Sequence, residues 1–270
     1  MLRAALDESF SEIPDLKGQL FVLAGYVSTI DRWEAFSRVW SNALLSFTNG
    51  QPFSMADAAR LWSEELQKER VGYLQDVIAE YAEFGVRVSC NPKMLAFYMK
   101  DCLDHKMANP HYFCLWFLIT HVLVQADDLL LDRKIEFVFD RGQTKPIDLI
   151  PHWDGLMANA PANIREQVPN EPMFRSNTEF IPLQAADMTA WWQARRLEER
   201  ELKLEPRWLR PHRGLGIAYR SWHIDEDFLR KWRDLNILGT PVPYSGPDGH
   251  GFLFPGGQKV LVAPFGRKVD

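Results

Sequence analysis

The segment Ile135-Glu136-Phe137-Val138-Phe139-Asp140, followed by Arg141-Gly142, is the clearest β-strand signal in the sequence. Apolar and aromatic residues over the length of one strand run directly into an acidic residue and a glycine, which is typical of a buried strand that ends at a turn. We therefore predict a strand over residues 135–140 with Asp140 at its carboxyl end.

Two further strand-like segments lie near the amino terminus. Leu2 to Leu6 is a short apolar run that ends at Asp7-Glu8-Ser9, and Leu20 to Val27 is a continuous apolar run of the kind found in strands buried on both faces. The polar stretch Pro14–Lys17 predicts a turn between them. We therefore expect the two strands to form an antiparallel hairpin.

Helical periodicity separates these strands from the others. Apolar residues at helical spacing follow Asp31 and stop at Asn49-Gly50, and a second amphipathic stretch spans 61–84 and is closed by Gly85. The remaining predicted elements are strands at 86–90 and 173–177, and helices that start at Pro92, Pro110, Pro146 and Pro182 or span 225–235. Together these elements predict an α/β fold, a mixed sheet flanked by helices.

The composition is that of a soluble globular protein. Of the 270 residues, 46% are hydrophobic and 25% are charged, which excludes disordered and collagen-like chains. The formal net charge of −5 supplies no overall positive field. Any binding of nucleic acid therefore requires a local basic patch or a metal ion.

The cytoplasm is the location that the sequence predicts. Cys90, Cys102 and Cys114 form no Cys-x-x-Cys pair, which favours free thiols over a structural zinc site. The first nine residues reach two acids before any apolar segment of a signal peptide can form. The most apolar stretch, 112–124, is shorter than the ~20 residues of a membrane-spanning helix. We therefore expect no contact with a membrane.

Acidic residues stand where two predicted strands end and near the start of one helix. Asp7 and Glu8 follow the first strand, Asp140 ends the strand at 135–140, and Asp187 lies early in a later helix. Because strand ends meet at one edge of an α/β sheet, these carboxylates can converge. Their mutual repulsion then favours a hard divalent cation, Mg²⁺ or Mn²⁺, which suits phosphoryl chemistry. The alternative is that they are ordinary turn residues and a solvated helix acid.

The helix that carries Asp187 has a sequence suited to close packing. Gln184 and Asp187 are three residues apart and therefore share a helix face. Ala185, Ala186 and Ala190 are small, so this helix can approach the sheet closely. The pattern predicts that Asp187 reaches the strand ends, although it also fits a helix that merely packs tightly on a sheet.

These motifs together resemble the domain-of-unknown-function 3800 family over roughly residues 1–198. The resemblance is carried by the order of four segments, which are Leu6-Asp7-Glu8-Ser9, Phe21-Val22-Leu23-Ala24-Gly25, Phe137-Val138-Phe139-Asp140-Arg141 and Leu183-Gln184-Ala185-Ala186-Asp187. It implies a ribonuclease H-like fold and a carboxylate cluster of Asp7, Asp140 and Asp187, with Glu8 beside the first. Ser176 resembles the family's serine ahead of its Gln-x-x-Asp element.

One position departs from the family pattern. Many members have a His-Met pair in the segment after the first long helix, whereas this chain has Ser54-Met55. If that histidine assists catalysis, its replacement by serine leaves the activity of this chain open. The seven histidines that the chain does contain form no recognisable metal or catalytic motif.

A basic and aromatic stretch lies beyond the region of the resemblance. Between Lys203 and Arg220 the only acid is Glu205, and cations alternate with tryptophan as in a groove for single-stranded nucleic acid. The candidate nucleic-acid-binding residues are Lys203, Arg207, Trp208, Arg210 and Arg213. The alternative is a solvated basic face over an extension anchored by Trp208 and Trp222.

Two functions are open on this sequence. The first is a metal-dependent nuclease or related phosphodiester hydrolase, in which Asp7, Asp140 and Asp187 hold two Mg²⁺ or Mn²⁺ ions. Glu8 would then be a ligand or orient one, and Gln184 would position a water or a ligand. The second is a catalytically inactive ribonuclease H-like module that binds nucleic acid or a protein partner. We predict a ribonuclease H-like domain over residues 1–198 and a C-terminal extension, 199–270, packed on it.

Overall fold

In the computed structural model, the chain is built on one six-stranded sheet. Its strands, numbered β1 to β6 in chain order, are Leu2–Glu12, Gln19–Thr29, Phe84–Cys90, Ile135–Asp140, Met173–Arg175 and Ala218–Ile224. They lie in the order β5-β4-β1-β2-β3-β6, and β2 alone runs antiparallel to its neighbours. The mixed α/β sheet has the ribonuclease H-like strand order over β1 to β5, which confirms the predicted fold class.

The structure describes most of the sheet and its helices and leaves several connecting segments aside. The described residues are 1–12, 19–100, 105–129, 131, 134–141, 150, 153–155, 157–158, 160, 162–201, 217–236, 242–246, 249–253 and 259–261. The predicted turn at Pro14–Lys17 and most of the helix predicted from Pro146 lie outside these residues. The basic candidates Lys203, Arg207, Trp208, Arg210 and Arg213 lie outside them as well.

Helices surround the sheet. In chain order they are Ile30–Phe47 (α1), Met55–Leu61 (α2), Glu64–Tyr81 (α3), Pro92–Met99 (α4), Pro110–Asp128 (α5), Ala162–Gln167 (α6), Pro182–Glu201 (α7) and Glu226–Asn236 (α8), with a 3-10 turn at His105–Ala108. Three short strands, Val242–Gly246 (β7), Gly249–Leu253 (β8) and Lys259–Leu261 (β9), form a second, antiparallel sheet.

The buried side chains divide into two main clusters, one on each face of the six-stranded sheet. Leu2, Ala4 and Leu6 of β1 pack together with α5, and we call this side the α5 face. Ala5, between them in sequence, packs with α1, α3 and α7 on the other side, the α7 face. Because side chains alternate across a strand, the position of a residue in β1 decides which face it occupies.

Several element boundaries follow directly from the sequence. Pro92 and Pro110 each lie in the first turn of a helix, as predicted, and the asparagine before each proline caps that helix with its side-chain oxygen. Helix α5 is the apolar stretch noted above, and it is buried against the sheet. None of the helices that the structure describes is long and apolar enough to cross a membrane. Cys90 and Cys114 are free and buried, with their sulfur atoms 3.6 Å apart.

The prediction that Gly85 closes a helix is wrong. Helix α3 ends at Tyr81, and Gly85 lies inside β3. A Cβ at this position would lie 2.2 Å from Cε1 of Tyr219 in the neighbouring strand β6. The hydroxyl of Tyr219 in turn donates a hydrogen bond of 2.5 Å to the hydroxyl of Tyr26. Glycine is needed here because a packed aromatic ring occupies the place of a side chain.

The described part of the predicted C-terminal extension contributes directly to the sheet and the core. Strand β6 pairs in parallel with β3 along its whole length. Leu229 and Trp232 of α8 are buried on the α5 face. The ring of Trp222 packs against Phe117 and His121, at 5.4 and 5.0 Å between centroids. Residues 218–236 are therefore part of the same hydrophobic core as residues 1–198.

Candidate functional site

Asp7 and Asp140 lie at the point where β1 and β4 separate. The pairing of these parallel strands ends at Leu6 and Phe139, and the two acids are the next residues of their strands. Strand β1 is longer than predicted, because it continues to Glu12 while paired with β2 alone. Asp7 therefore lies inside a strand rather than after it, yet still at the carboxyl end of the β1–β4 pair.

Both acids lie on the α7 face of the sheet. Ala5 and Val138, two residues earlier in each strand, pack in the cluster of that face, so Asp7 and Asp140 lie on the same side. Asp187 lies in the first two turns of α7, and its neighbour Met188 packs in this cluster too. The fold thus brings the three predicted carboxylates, distant in sequence, to one face of the sheet.

The other two acids influence the ionisation of Asp7. The residue is only 8% exposed. Burial raises the pKa of Asp7 well above its ordinary value, and the carboxylates of Asp187 and Asp140 raise it further. The backbone N–H of Glu8, which donates to Oδ1 at 2.8 Å, acts in the opposite direction. Without a cation, protonation of Asp7 is therefore the main way to reduce the repulsion among the three carboxylates.

Asp187 has a similar but milder environment. Burial raises its pKa to about 6, and Asp140 contributes to the increase. The backbone N–H of Met55 donates to Oδ2 of Asp187 at 2.8 Å and stabilises the ionised form. This hydrogen bond also joins the start of α2 to α7, so the segment around Met55 lies against the acidic cluster.

The three carboxylates fit a hard divalent cation by their chemistry. Mg²⁺ and Mn²⁺ take oxygen ligands, and a cation would remove the repulsion that raises the pKa of Asp7. Among the residues that the structure describes, no group of three or more His, Cys, Asp or Glu side chains is arranged to hold a metal ion.

Glu8 lies on the opposite face of β1 from this cluster. It follows Leu6 by two residues, so its side chain lies on the α5 face, where it is only 4% exposed. Its Oε2 lies 2.9 Å from Nδ1 of His111 but accepts no hydrogen bond from a described residue. The backbone of β1 thus separates Glu8 from the other acids, and its charge acts on Asp7 only from that distance.

His111 is a neighbour of the site that the sequence did not indicate. It stands one residue after Pro110, at the start of α5, and its ring packs against those of Phe10 and Phe21, at 5.8 and 4.7 Å between centroids. No motif marks this histidine. Side chains alternate along β1, so Glu8 lies on the α5 face, where a buried carboxylate needs a polar partner. This alternation is the only feature of the sequence that could have indicated such a partner.

Gln184 supports the site instead of facing it. The residue is 1% exposed, and its Oε1 accepts hydrogen bonds from Nε1 of Trp40 at 2.9 Å and from the backbone N–H of Phe53 at 2.8 Å. Its Nε2 donates to the carbonyl of Asn177 at 2.9 Å. The positioning of a water or ligand by Gln184 stays a prediction, and the contacts described for its amide are with the protein itself. The amide fixes the chain at Phe53, two residues before the Met55 that contacts Asp187.

The other predicted positions have local roles in the described structure. Ser54, where the family pattern has histidine, precedes α2 and makes no capping hydrogen bond with its side chain. Ser176 forms the turn before α7, where its backbone N–H donates to Oε2 of Glu179 at 2.7 Å. Arg220, at the end of the basic stretch, is paired with Asp128 and Gln125 and packs against the body of the protein.

Comparison with known proteins finds a weak similarity to a solved structure. No protein-family model matches the chain, and no curated protein matches it. Among solved structures, the chain is similar to one from the complex of PCNA with RNase HII of Archaeoglobus fulgidus, with 13% identity and a TM-score of 0.40. The alignment covers 75% of this chain and 77% of that chain. The assignment of the ribonuclease H-like fold rests on the strand order itself.

Proposed function

We propose that the protein is a divalent-metal-dependent nuclease or related phosphodiester hydrolase. The observation that carries this proposal is the meeting of Asp7, Asp140 and Asp187 on one face of a ribonuclease H-like sheet. Each comes from a different element, and each adds to the electrostatic repulsion within the group. Mutually repelling carboxylates, one buried and two half-buried, are costly for stability, which favours a functional reason for their presence.

Asp7, Asp140 and Asp187 would hold Mg²⁺ or Mn²⁺ in this proposal. When bound, such an ion activates water and stabilises the charge that develops on a phosphodiester. The chain's own residues prepare the site. The backbone N–H groups of Glu8 and Met55 hold the carboxylates of Asp7 and Asp187 in place as acceptors. Gln184 fixes the segment that carries Met55, so the orientation of Asp187 depends on that amide.

Hydrolysis of labelled single- and double-stranded DNA and RNA with Mg²⁺ or Mn²⁺ tests the proposal. We expect Asp140→Asn to reduce the rate by at least about 100-fold, because even outer-shell partners of metal sites are worth about 10–100-fold. Asp76→Asn, a matched change at an exposed position of α3, should leave the rate unchanged. Absence of metal-dependent cleavage in the parent protein, across all four substrates, would refute the proposal.

The second candidate is a catalytically inactive module of the same fold. It is favoured by Ser54, which occupies the place of the family's histidine directly beside the Met55 that contacts Asp187. In this case Mn²⁺ should stabilise the protein while no substrate is cleaved. Ser54→His then tests the cause, since cleavage by this variant and not by the parent protein would show that the missing histidine accounts for the inactivity.

Membership of the domain-of-unknown-function 3800 family and a cytoplasmic location complete the proposal. The four ordered segments support the first, since the strands and the helix that carry them occupy the centre of the ribonuclease H-like sheet. The free thiols of Cys90 and Cys114 support the second.

A further inference from the structure

Arg175 lies beside the acidic cluster on the edge strand of the sheet. It is the last residue of β5 and stands in register with Asp140 of β4. The preceding residue, Phe174, stacks on Phe139 on the α5 face, at 5.9 Å between ring centroids. Because side chains alternate along a strand, Arg175 lies on the α7 face together with Asp140. Its backbone is about 4.8 Å from that of Asp140, the spacing of neighbouring strands.

The guanidinium of Arg175 is available to an external partner. The residue is exposed, and its side chain makes no hydrogen bond or close ion pair with another residue in the described part of the chain, although its charge acts on Glu179. By contrast, Arg220 in the basic stretch considered earlier is held by Asp128 and Gln125. An exposed arginine on a three-residue edge strand also has an ordinary explanation, since charged side chains prevent edge strands from pairing with other molecules.

A second arginine lies next to Arg175. Arg141 follows β4 directly, its backbone N–H donates to the carbonyl of Arg175 at 2.8 Å, and its guanidinium donates to the carbonyl of Phe174 at 3.0 Å. Two carboxylates lie near this pair: Glu179 is 3.5 Å from Arg141, and Asp140 stands in register with Arg175. We call Arg141 and Arg175 the arginine edge. Its charge is net positive, although the whole chain carries a net charge of −5.

The position of the arginine edge matches a need of the site. A polyanion that approaches three carboxylates is repelled unless cations flank them, and the whole chain supplies no such field. Guanidinium binds phosphate oxygens through two parallel hydrogen bonds, which fixes orientation as well as adding affinity. A guanidinium one strand away from Asp140 can contact the phosphodiester at the acids or its immediate neighbour.

We propose that Arg175, assisted by Arg141, binds the backbone phosphate next to the cleaved one, so that the nucleic acid strand crosses the sheet over β4 and β5. This inference rests on the proposed function and extends it, because it assigns the path of the substrate and a residue that positions it. Arg175 is here a positioning residue. The carboxylates, rather than this guanidinium, act at the reacting phosphate.

Binding of a labelled single-stranded oligonucleotide, as DNA and as RNA, to the full chain without divalent metal tests the inference by fluorescence anisotropy. We expect Arg175→Gln to weaken binding by about tenfold, the typical value of one charge-assisted hydrogen bond. The slope of log affinity against log salt should fall by about 0.7, the contribution of one phosphate contact in a single strand. Arg175→Lys should keep most of the slope while losing part of the affinity, because it preserves the charge and not the planar fork.

Two controls separate this inference from the proposed function. Arg38→Gln removes the same charge from an exposed position of α1 and should change neither affinity nor slope. The increase in melting temperature with Mn²⁺ should be the same in Arg175→Gln and the parent protein. Unchanged affinity and slope in Arg175→Gln, or an equal loss in Arg38→Gln, would overturn the inference while the Mn²⁺ response and cleavage still support a nuclease. A parent protein that neither binds the oligonucleotide nor responds to Mn²⁺ would overturn both.

Discussion

Replacing Asp187 with asparagine should stabilise the protein in the absence of divalent metal. Burial raises the pKa of Asp187 from 3.8 to about 6 in the folded protein. A difference of about two units corresponds to roughly 3 kcal/mol, at 1.36 kcal/mol per unit. Asparagine has nearly the same shape and can still accept the hydrogen bond from Met55. It carries no charge, so this cost of ionisation disappears. The pKa of Asp7 should fall as well, because the charge of Asp187 is one of the causes that raise it.

The sign of the pH dependence follows from the raised pKa. Below about pH 4, Asp187 is protonated in both the folded and the unfolded chain and costs nothing. As the pH rises through about 6, the unfolded chain is already ionised while the folded chain resists ionisation, so the free energy of unfolding falls. The parent protein should therefore lose stability over this interval relative to Asp187→Asn. The difference should reach about 3 kcal/mol near neutral pH, or on the order of 5–10 °C in melting temperature.

Urea unfolding from pH 4.5 to 8 in the presence of a chelator measures this difference. Asp76→Asn, on the exposed surface of α3, is the matched control and should stay within about 0.5 kcal/mol of the parent protein at every pH. With Mn²⁺ at about 1,000 times its Kd the order should reverse, because such a ligand adds about 4.1 kcal/mol to the protein that binds it, more than the roughly 3 kcal/mol gained by the substitution. An Asp187→Asn variant that is as stable as the parent protein, or less stable, at neutral pH without metal would refute the cost of ionising Asp187.

Three further predictions concern the supports of the site. Gln184→Ala removes the acceptor of two buried N–H donors, so it should lower the free energy of unfolding by about 2–5 kcal/mol in urea titrations, and a loss below 1 kcal/mol would contradict the network. Gly85→Ala should lower the free energy of unfolding because its Cβ would collide with the ring of Tyr219. Combining it with Tyr219→Ala should recover part of this loss, and additive losses in the two variants would argue against the contact. If the stretch after residue 202 forms a nucleic-acid groove, a triple alanine variant should flatten the salt dependence of oligonucleotide binding by about 0.7 per lost phosphate contact, whereas an unchanged slope in filter binding would make it a solvated face. The three residues to replace are Arg207, Arg210 and Arg213.

The sequence was most informative where one strand or one helix decided the outcome. The strand at 135–140 and the hairpin of β1 and β2 could be predicted from apolar runs, and the strand-end position of Asp140 followed from them. The small residues of the Pro182 helix correctly indicated close packing on the sheet. Each of these local signals fits several folds by itself. Only their combination predicted that Asp187 lies near Asp7.

The features that the sequence could not show depend on partners far away in the chain. The amide of Gln184 is satisfied by Trp40 and Phe53, more than 100 residues earlier, so its role as a support has no local signature. Strand β6 is half-exposed and shows no regular alternation of buried residues, and its place beside β3 cannot be deduced from its own sequence. Gly85 has the appearance of a helix stop because the Tyr219 ring that requires it lies in that distant strand.

The pairing of β3 with β6 has a consequence for how the chain folds. Arg87 and Ser221, joined by a hydrogen bond of 2.8 Å across this pair, are 134 residues apart. Contacts of such long range form slowly, because a large loop must close before any pairing is gained. Until residue 224 has been synthesised, β3 remains an open edge of the sheet in a chain emerging from the ribosome, with Phe84, Val86 and Val88 already committed to the core. That edge is where incomplete or heat-stressed chains would associate with one another.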